Sequence, residues 1–471
     1  MTKIRADLMI KHARFLLLDA FQEPARDGAV IVQGNYIIDY GLTSELEQRY
    51  DSTRSIDMTG KVVMPGLVDC HNHLGNWNMY AITGALKEPV VKQPDRLLKV
   101  IYPAYSLIDQ EDCYDVNMMG YLNALKTGTT TVANSFIWTN EIAKAAVDIG
   151  LRVDLAPCIH QGVHYPDSKS IEDDLVRAEA MIKKWHGEAN GRIQYRIQPE
   201  ISFYCQEWVF EACAKLSEQY NVGLGTHIAE DHSSTVKAAK IWPEGELQKL
   251  YRTGFIGPRT LLYHGSLLHG RDLELLADTG ASVAHCPVSN LKRGAVAPVP
   301  QMLKLGVKVG LGVDYPNNDL FNVMLLSSLI HTILPEDHKG ITEQEAFFLA
   351  TQGGADALGL GKEVGSISIG KKADIIALDT RNNTRLFPLW PETVINMVRL
   401  NGSGQDVSDV IVDGQILMQD KHVLTCDETS VVEKGLLQQE KFMSKYKELE
   451  RQGKPFVAVR NERLLSILPS N

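Results

Sequence analysis

Between residues 62 and 360 one texture recurs eight times: a short apolar run rich in β-branched residues, then a segment long enough for a helix. The runs are "KVVMPGLVDC", "GTTTVANSF", "LRVDLAPCIH", "RIQYRIQPEIS", "NVGLGTHIAE", "TLLYHGS", "ASVAHCPVSN" and "VKVGLGVDYP". A strand that is apolar along its whole length is buried on both faces, the condition of a parallel sheet covered by helices. Eight such units in succession predict a distorted (β/α)8 barrel of the TIM type over residues 62–362. The flanks read differently. "ADLMIKHARFLLLD" and "AVIVQGNYIIDYG" near the start, and "GSISIGKKADIIALD" and "VSDVIVDGQILMQD" near the end, are short β-like runs separated by turn signals. The simplest packing joins residues 1–61 and 363–426 into one small composite β-sandwich. Residues 427–471 open with "DETSVVEKGLLQQEKFMSKYKELERQ", which reads as an exposed helix with an apolar stripe, followed by a tail.

In such a barrel the chemistry sits at the C-terminal ends of the strands. The first run ends in His71 and His73, whose side chains alternate onto one face about 6–7 Å apart along the backbone. Cys70 points to the opposite face and is expected to be a small buried residue. The fifth run ends in His227 with Glu230 three residues later, the sixth in His264, the seventh in His285 and the eighth in Asp314. Chance would rarely bring so many of the chain's 14 histidines to one rim position. His71, His73, His227 and Asp314 form a nitrogen and oxygen donor set of borderline softness. It suits one divalent ion, Zn²⁺ first, with Fe²⁺ or Co²⁺ as competitors. Glu230, offset from the ligands by a loop turn, is placed as a proton shuttle. His264 is placed to stabilise charge growing on the substrate or to orient the attacking water. The fourth run has no lysine to carry a carbamate bridge, so one ion is expected rather than two.

These residues resemble those of the amidohydrolase superfamily. "PGLVDCHNH" is similar to its first-strand His-x-His signature, "THIAE" to its His-x-x-Glu, "AHCPVSN" to its strand-seven motif and "GVD" to its strand-eight aspartate. "GSISIGKKADIIALD" is similar to its closing sandwich strand. The resemblance implies the barrel and sandwich, the metal ligands His71, His73, His227 and Asp314, and catalytic roles for Glu230 and His264. The subgroup it points to holds triazine hydrolases and chlorohydrolases, guanine- and cytosine-type deaminases and nucleoside-level deaminases. Two positions depart from the nucleoside deaminases: Tyr105 in "IYPAYSLID" stands where they carry a ribose-binding Glu, and Glu200 in "QPEIS" where they carry a His.

Those departures shape the expected substrate. Trp77, with Met79 and Tyr80, offers an apolar, aromatic loop beside the metal. Trp77, Tyr105, Glu200 and His285 are the expected substrate contacts. They lean toward a small neutral urea, carbamate or thiocarbamate, as in the phenylurea and molinate hydrolase branch of xenobiotic degradation. The alternative is an aminohydrolase or dechlorinase of a purine, pyrimidine or s-triazine ring. A non-catalytic barrel with a structural metal is opposed by Glu230 and His264, which a structural ion does not need.

A net charge of −10 excludes nucleic acid as the main partner, and no apolar run approaches the ~18 residues of a membrane span. The first residues show no signal-peptide pattern. The seven cysteines are scattered, without a Cys-x-x-Cys, as reduced thiols are. A cytoplasmic homo-oligomer acting on a small molecule is expected.

Overall fold

The computed structural model describes residues 3–76, 101–159, 170–314, 319–333 and 340–452. All eight predicted runs form strands of one parallel sheet, hydrogen-bonded in chain order: Leu67–Asn72, Thr129–Asn134, Arg152–Leu155, Ile193–Pro199, Gly223–Ile228, Thr260–His264, Ser282–His285 and Lys308–Leu311. The sheet curls until its ends meet. Asp314, just past the eighth strand, donates its backbone N–H to the carbonyl of His71 at 2.7 Å, and Asn72 pairs with Asp314 as a parallel bridge. The result is a nearly closed barrel with helices outside it. Leu67–Asn72 and Thr129–Asn134 are buried at every position, which is why they lack alternation in the sequence.

The run read as one strand, "KVVMPGLVDC", is in fact two. Lys61–Pro65 pairs antiparallel with Ile375–Asp379 in a separate sheet, and the barrel strand begins only at Leu67. Gly66 is the joint. A Cβ there would lie 2.1 Å from Oγ1 of Thr130 on the next barrel strand, so only glycine lets the chain cross so close to its neighbour.

The two chain ends meet beside the barrel. Ile4–Ala13, Gly28–Gln33, Tyr36–Leu42 and Tyr50–Asp57 make a four-stranded sheet. Phe15–Leu16, Lys61–Pro65, Ile375–Asp379, Val407–Val412, Gln415–Gln419 and His422–Val423 make a six-stranded one. Leu8, Ile10, Val30 and Val32 from the first sheet share a buried cluster with Val63, Ile375, Ala377 and Ile411 from the second. A buried ion pair ties this domain to the barrel: Arg152 of the third barrel strand holds Asp374 through two hydrogen bonds of 2.9 and 3.0 Å. The helix Glu428–Arg451 lies across Gln110–Lys126, with Lys441 on Asp112 (2.6 Å) and Lys445 on Asp109 (2.7 Å). Its predicted apolar stripe is docked rather than exposed at Phe442 and Tyr446.

Candidate metal centre

The barrel brings His71, His73, His227, His264 and Asp314 to one rim. Two overlapping clusters share His71: one with His227 and His264, the other with His73 and Asp314, each with donor atoms within 4.8 Å of one another. Nε2 of His71 lies 3.1 Å from Nε2 of His227, and Oδ1 of Asp314 lies 3.5 Å from Nε2 of both His71 and His73. Ligands held about 2.0–2.2 Å from one ion take separations of this order.

The protein prepares these rings by bonding their far sides. Nδ1 of His73 donates to the carbonyl of Ser135 at 2.9 Å, and Nδ1 of His227 to the carbonyl of Glu200 at 2.6 Å. A ring that donates from Nδ1 presents a bare lone pair at Nε2, the form a cation needs. Burial, reinforced by His264, pushes the His227 imidazole down to about 3, and burial with its neighbouring imidazoles holds His71 well below the ordinary range. Both are therefore neutral near pH 7. Asp69 fixes His71 in place, accepting the backbone N–H of His71 (3.2 Å) and of Val313 (3.0 Å) and so lashing the first strand to the eighth. Tyr263 stacks on the His71 ring at 4.0 Å. A group of buried acceptors turned toward one another repels itself unless a cation sits among them. Among the described residues Oδ2 of Asp314 has no hydrogen-bond partner, in keeping with that. The donor set fits a divalent metal.

Beside this donor set stand two further buried groups. Glu230 and His264 are buried, with Oε1 of Glu230 3.6 Å from Nε2 of His264. Asn290, on the short helix Pro287–Lys292 after the seventh strand, donates its amide to the carbonyl of Glu230 (3.3 Å) and meets Nδ1 of His264 (3.1 Å). The carbonyl can only accept, so the amide nitrogen faces it, and His264 must receive that N–H at Nδ1. Its own proton then sits on Nε2. Burial pushes His264 down to about 4, so it is a neutral donor. Arg293 bonds Oε1 of Glu230 and donates to Oγ of Ser289 at 2.9 Å, with Oδ2 of Asp314 4.0 Å away. His264 and Asp314 both adopt left-handed backbone (φ 72° and 54°), a conformation non-glycine residues adopt mainly where a site demands it.

The expected substrate contacts fare unevenly. Tyr105 and Glu200 are both buried, and Tyr105 is hydrogen-bonded to Asn76. Burial, then the charges of Glu200 and other neighbours including Asp314, raise the Tyr105 phenol, leaving a neutral hydroxyl near a carboxylate. His285 ends the seventh strand fully buried, with the ring of His331 at 5.6 Å. Trp77, Met79 and Tyr80 lie outside the described residues. Asp69, Asn290, Arg293 and His331 were not singled out in the sequence. Asn290 stands inside the quoted "AHCPVSN", and only its place behind His264 shows its role.

The chain matches the model of the amidohydrolase family over residues 62–417. It is 31% identical to a 5'-deoxyadenosine deaminase of Methanosarcina mazei, over 91% of this chain and 97% of that protein. An adenosine deaminase from Xanthomonas campestris with bound zinc superposes with a TM-score of 0.86 at 22% identity, covering 94% of this chain and all of that one. An atrazine chlorohydrolase from Arthrobacter aurescens, complexed with zinc, gives 0.82 at 22% identity over 92% and 100%. A family match over residues 62–417 and a relative 31% identical over nearly the whole chain agree with the barrel and its flanking sheets: the chain belongs to the amidohydrolase family.

Proposed function

We propose that this protein is a zinc-dependent aminohydrolase, holding one ion per chain, that removes the exocyclic amino group of a neutral N-heteroaromatic ring, with 6-aminopurine nucleosides the first class to test. The observation that carries the reading is the pairing of Glu230 with a neutral His264 beside four convergent ligands. Its sequence relatives bear deaminase names, which favours ring deamination over the urea and carbamate reading.

His71, His73, His227 and Asp314 would hold the ion. Bound there, it would supply Lewis-acid charge and lower the pKa of a water toward ~7. Glu230 takes the proton from the attacking water at its carboxylate and returns it to the substrate nitrogen that departs as ammonia. His264, with its proton on Nε2, donates a hydrogen bond where negative charge develops. Arg293, on Oε1 of Glu230, fixes that carboxylate's direction. Tyr105 and Glu200 are assigned to the substrate's far side, where a neutral hydroxyl and a carboxylate accept and donate differently from the groups of nucleoside deaminases. The test is a side-by-side kcat/KM of the zinc-loaded protein for 5'-deoxyadenosine, guanine, an aminotriazine and a phenylurea. A preference of tenfold or more for any amino-substituted ring supports the reading, and preference for the phenylurea overturns it.

A further inference from the structure

His285 and His331 are both fully buried, and among the described residues none of their four ring nitrogens has a hydrogen-bond partner. Their ring centroids are 5.6 Å apart. One orphaned polar atom in a protein interior is unusual, and four on two adjacent rings call for something that bonds them. Their place in the fold says what. His285 ends the seventh strand, between the sixth, which ends in His264, and the eighth, which leads to Asp314. It is close enough to His264 for the two imidazoles to oppose each other's protonation. His331 reaches the same place from the end of Leu320–Ile330, the helix that follows the eighth strand. A histidine at a helix C-terminus ordinarily gains by being charged. Burial overrides that here, pushing His331 down to about 4 and His285 well below its usual range. The pair is neutral, and each ring offers one N–H and one lone pair. Such a pair has no advantage for an anion. It matches the edge of an uncharged heteroaromatic ring, where acceptor nitrogens and donors alternate.

We propose that His285 and His331 form a recognition pair that hydrogen-bonds a ring nitrogen of the substrate, making them specificity-determining residues of the reaction. This rests on the aminohydrolase reading above. It assigns the pair no role in the chemical step, so it acts on KM and on discrimination between rings rather than on kcat.

The experiment uses the zinc-loaded full chain with a 6-aminopurine nucleoside and its 3-deaza and 7-deaza analogues, each of which lacks one ring nitrogen. Wild type is expected to bind one analogue about tenfold more weakly than the parent, the size of one neutral hydrogen bond. His331→Leu should bring that ratio close to one with little change in kcat. His331→Gln, which keeps a donor and an acceptor, should largely retain it. The melting temperature of His331→Leu should stay level or rise, because an apolar group replaces unpaired buried nitrogens. A ratio that survives in His331→Leu overturns the proposal, as does a wild type that binds both analogues as tightly as the parent. A lower melting temperature with an unchanged ratio would assign the pair a structural role and also overturns it. If wild type releases no ammonia from any aminopurine, the aminohydrolase reading fails first, and the pair's role with it.

Discussion

Nε2 of His71 and Nε2 of His227 stand 3.1 Å apart although Nδ1 of His227 is already committed to the carbonyl of Glu200 at 2.6 Å. Two rings on strands one and five of the barrel are thus turned so that nitrogen faces nitrogen, with the carboxylate of Asp314 3.5 Å from His71. That arrangement is costly for a binding pocket without a cation and natural for a metal centre.

Removing one of these ligands should therefore remove the ion. His71→Ala is expected to lose bound metal and activity together, read by elemental analysis of the purified variant. A His71→Ala protein with a full complement of metal would contradict the ligand assignment.

Glu230 should behave differently, because it lies beside the ligands rather than among them. Glu230→Gln keeps the side chain's shape and cannot carry a proton. Turnover should fall by ~10²–10⁴ while metal content and folding stay normal. Near-native turnover would take Glu230 out of the mechanism.

The barrel and its rim were legible because burial on both faces makes each strand apolar throughout, and the residues proposed as ligands stand at the ends of those runs. The same uniformity hid the joint at Gly66. Val62, Val63, Leu67 and Val68 are all fully buried, and all look alike in sequence. Asn290 and Arg293 are inconspicuous because polar residues on and just after a six-residue helix resemble a solvated surface; only the fold turns them back onto Glu230. His331 lies at a helix end with no run to mark it. The urea and carbamate reading leans on Tyr105, which is buried and hydrogen-bonded to Asn76, and on Trp77, which lies outside the described residues.

The link between barrel and small domain should be expensive to break. Asp374→Ala leaves the guanidinium of Arg152 buried without the partner that holds it through two hydrogen bonds. The expected loss is about 3–5 kcal/mol of unfolding free energy, measured by urea titration. A loss below about 1 kcal/mol would mean that Asp413, 3.6 Å from the same guanidinium, compensates fully.

Acid should weaken the metal-free fold in a defined window. His264 and His331 are each pushed down to about 4 by burial, against about 6.5 in an unfolded chain. Between those values the unfolded chain binds protons that the folded one refuses. Stability is therefore lost as pH falls from about 6.5 to about 4, by up to about 1.4 kcal/mol per pH unit for each imidazole. His331→Leu removes one such group. Its urea midpoint should drop less between pH 7 and pH 5 than that of the wild type, and an equal or larger drop would contradict the assignment.

The most direct test of the account is ammonia release from 5'-deoxyadenosine by the chain stripped of metal and then reloaded with zinc. The stripped protein should be inactive, and activity should return in proportion to zinc up to one ion per chain, with one ammonia formed per deaminated product. If the reloaded protein frees no ammonia from this or any other amino-substituted ring yet cleaves a phenylurea to its amine, the proposed aminohydrolase is the wrong enzyme.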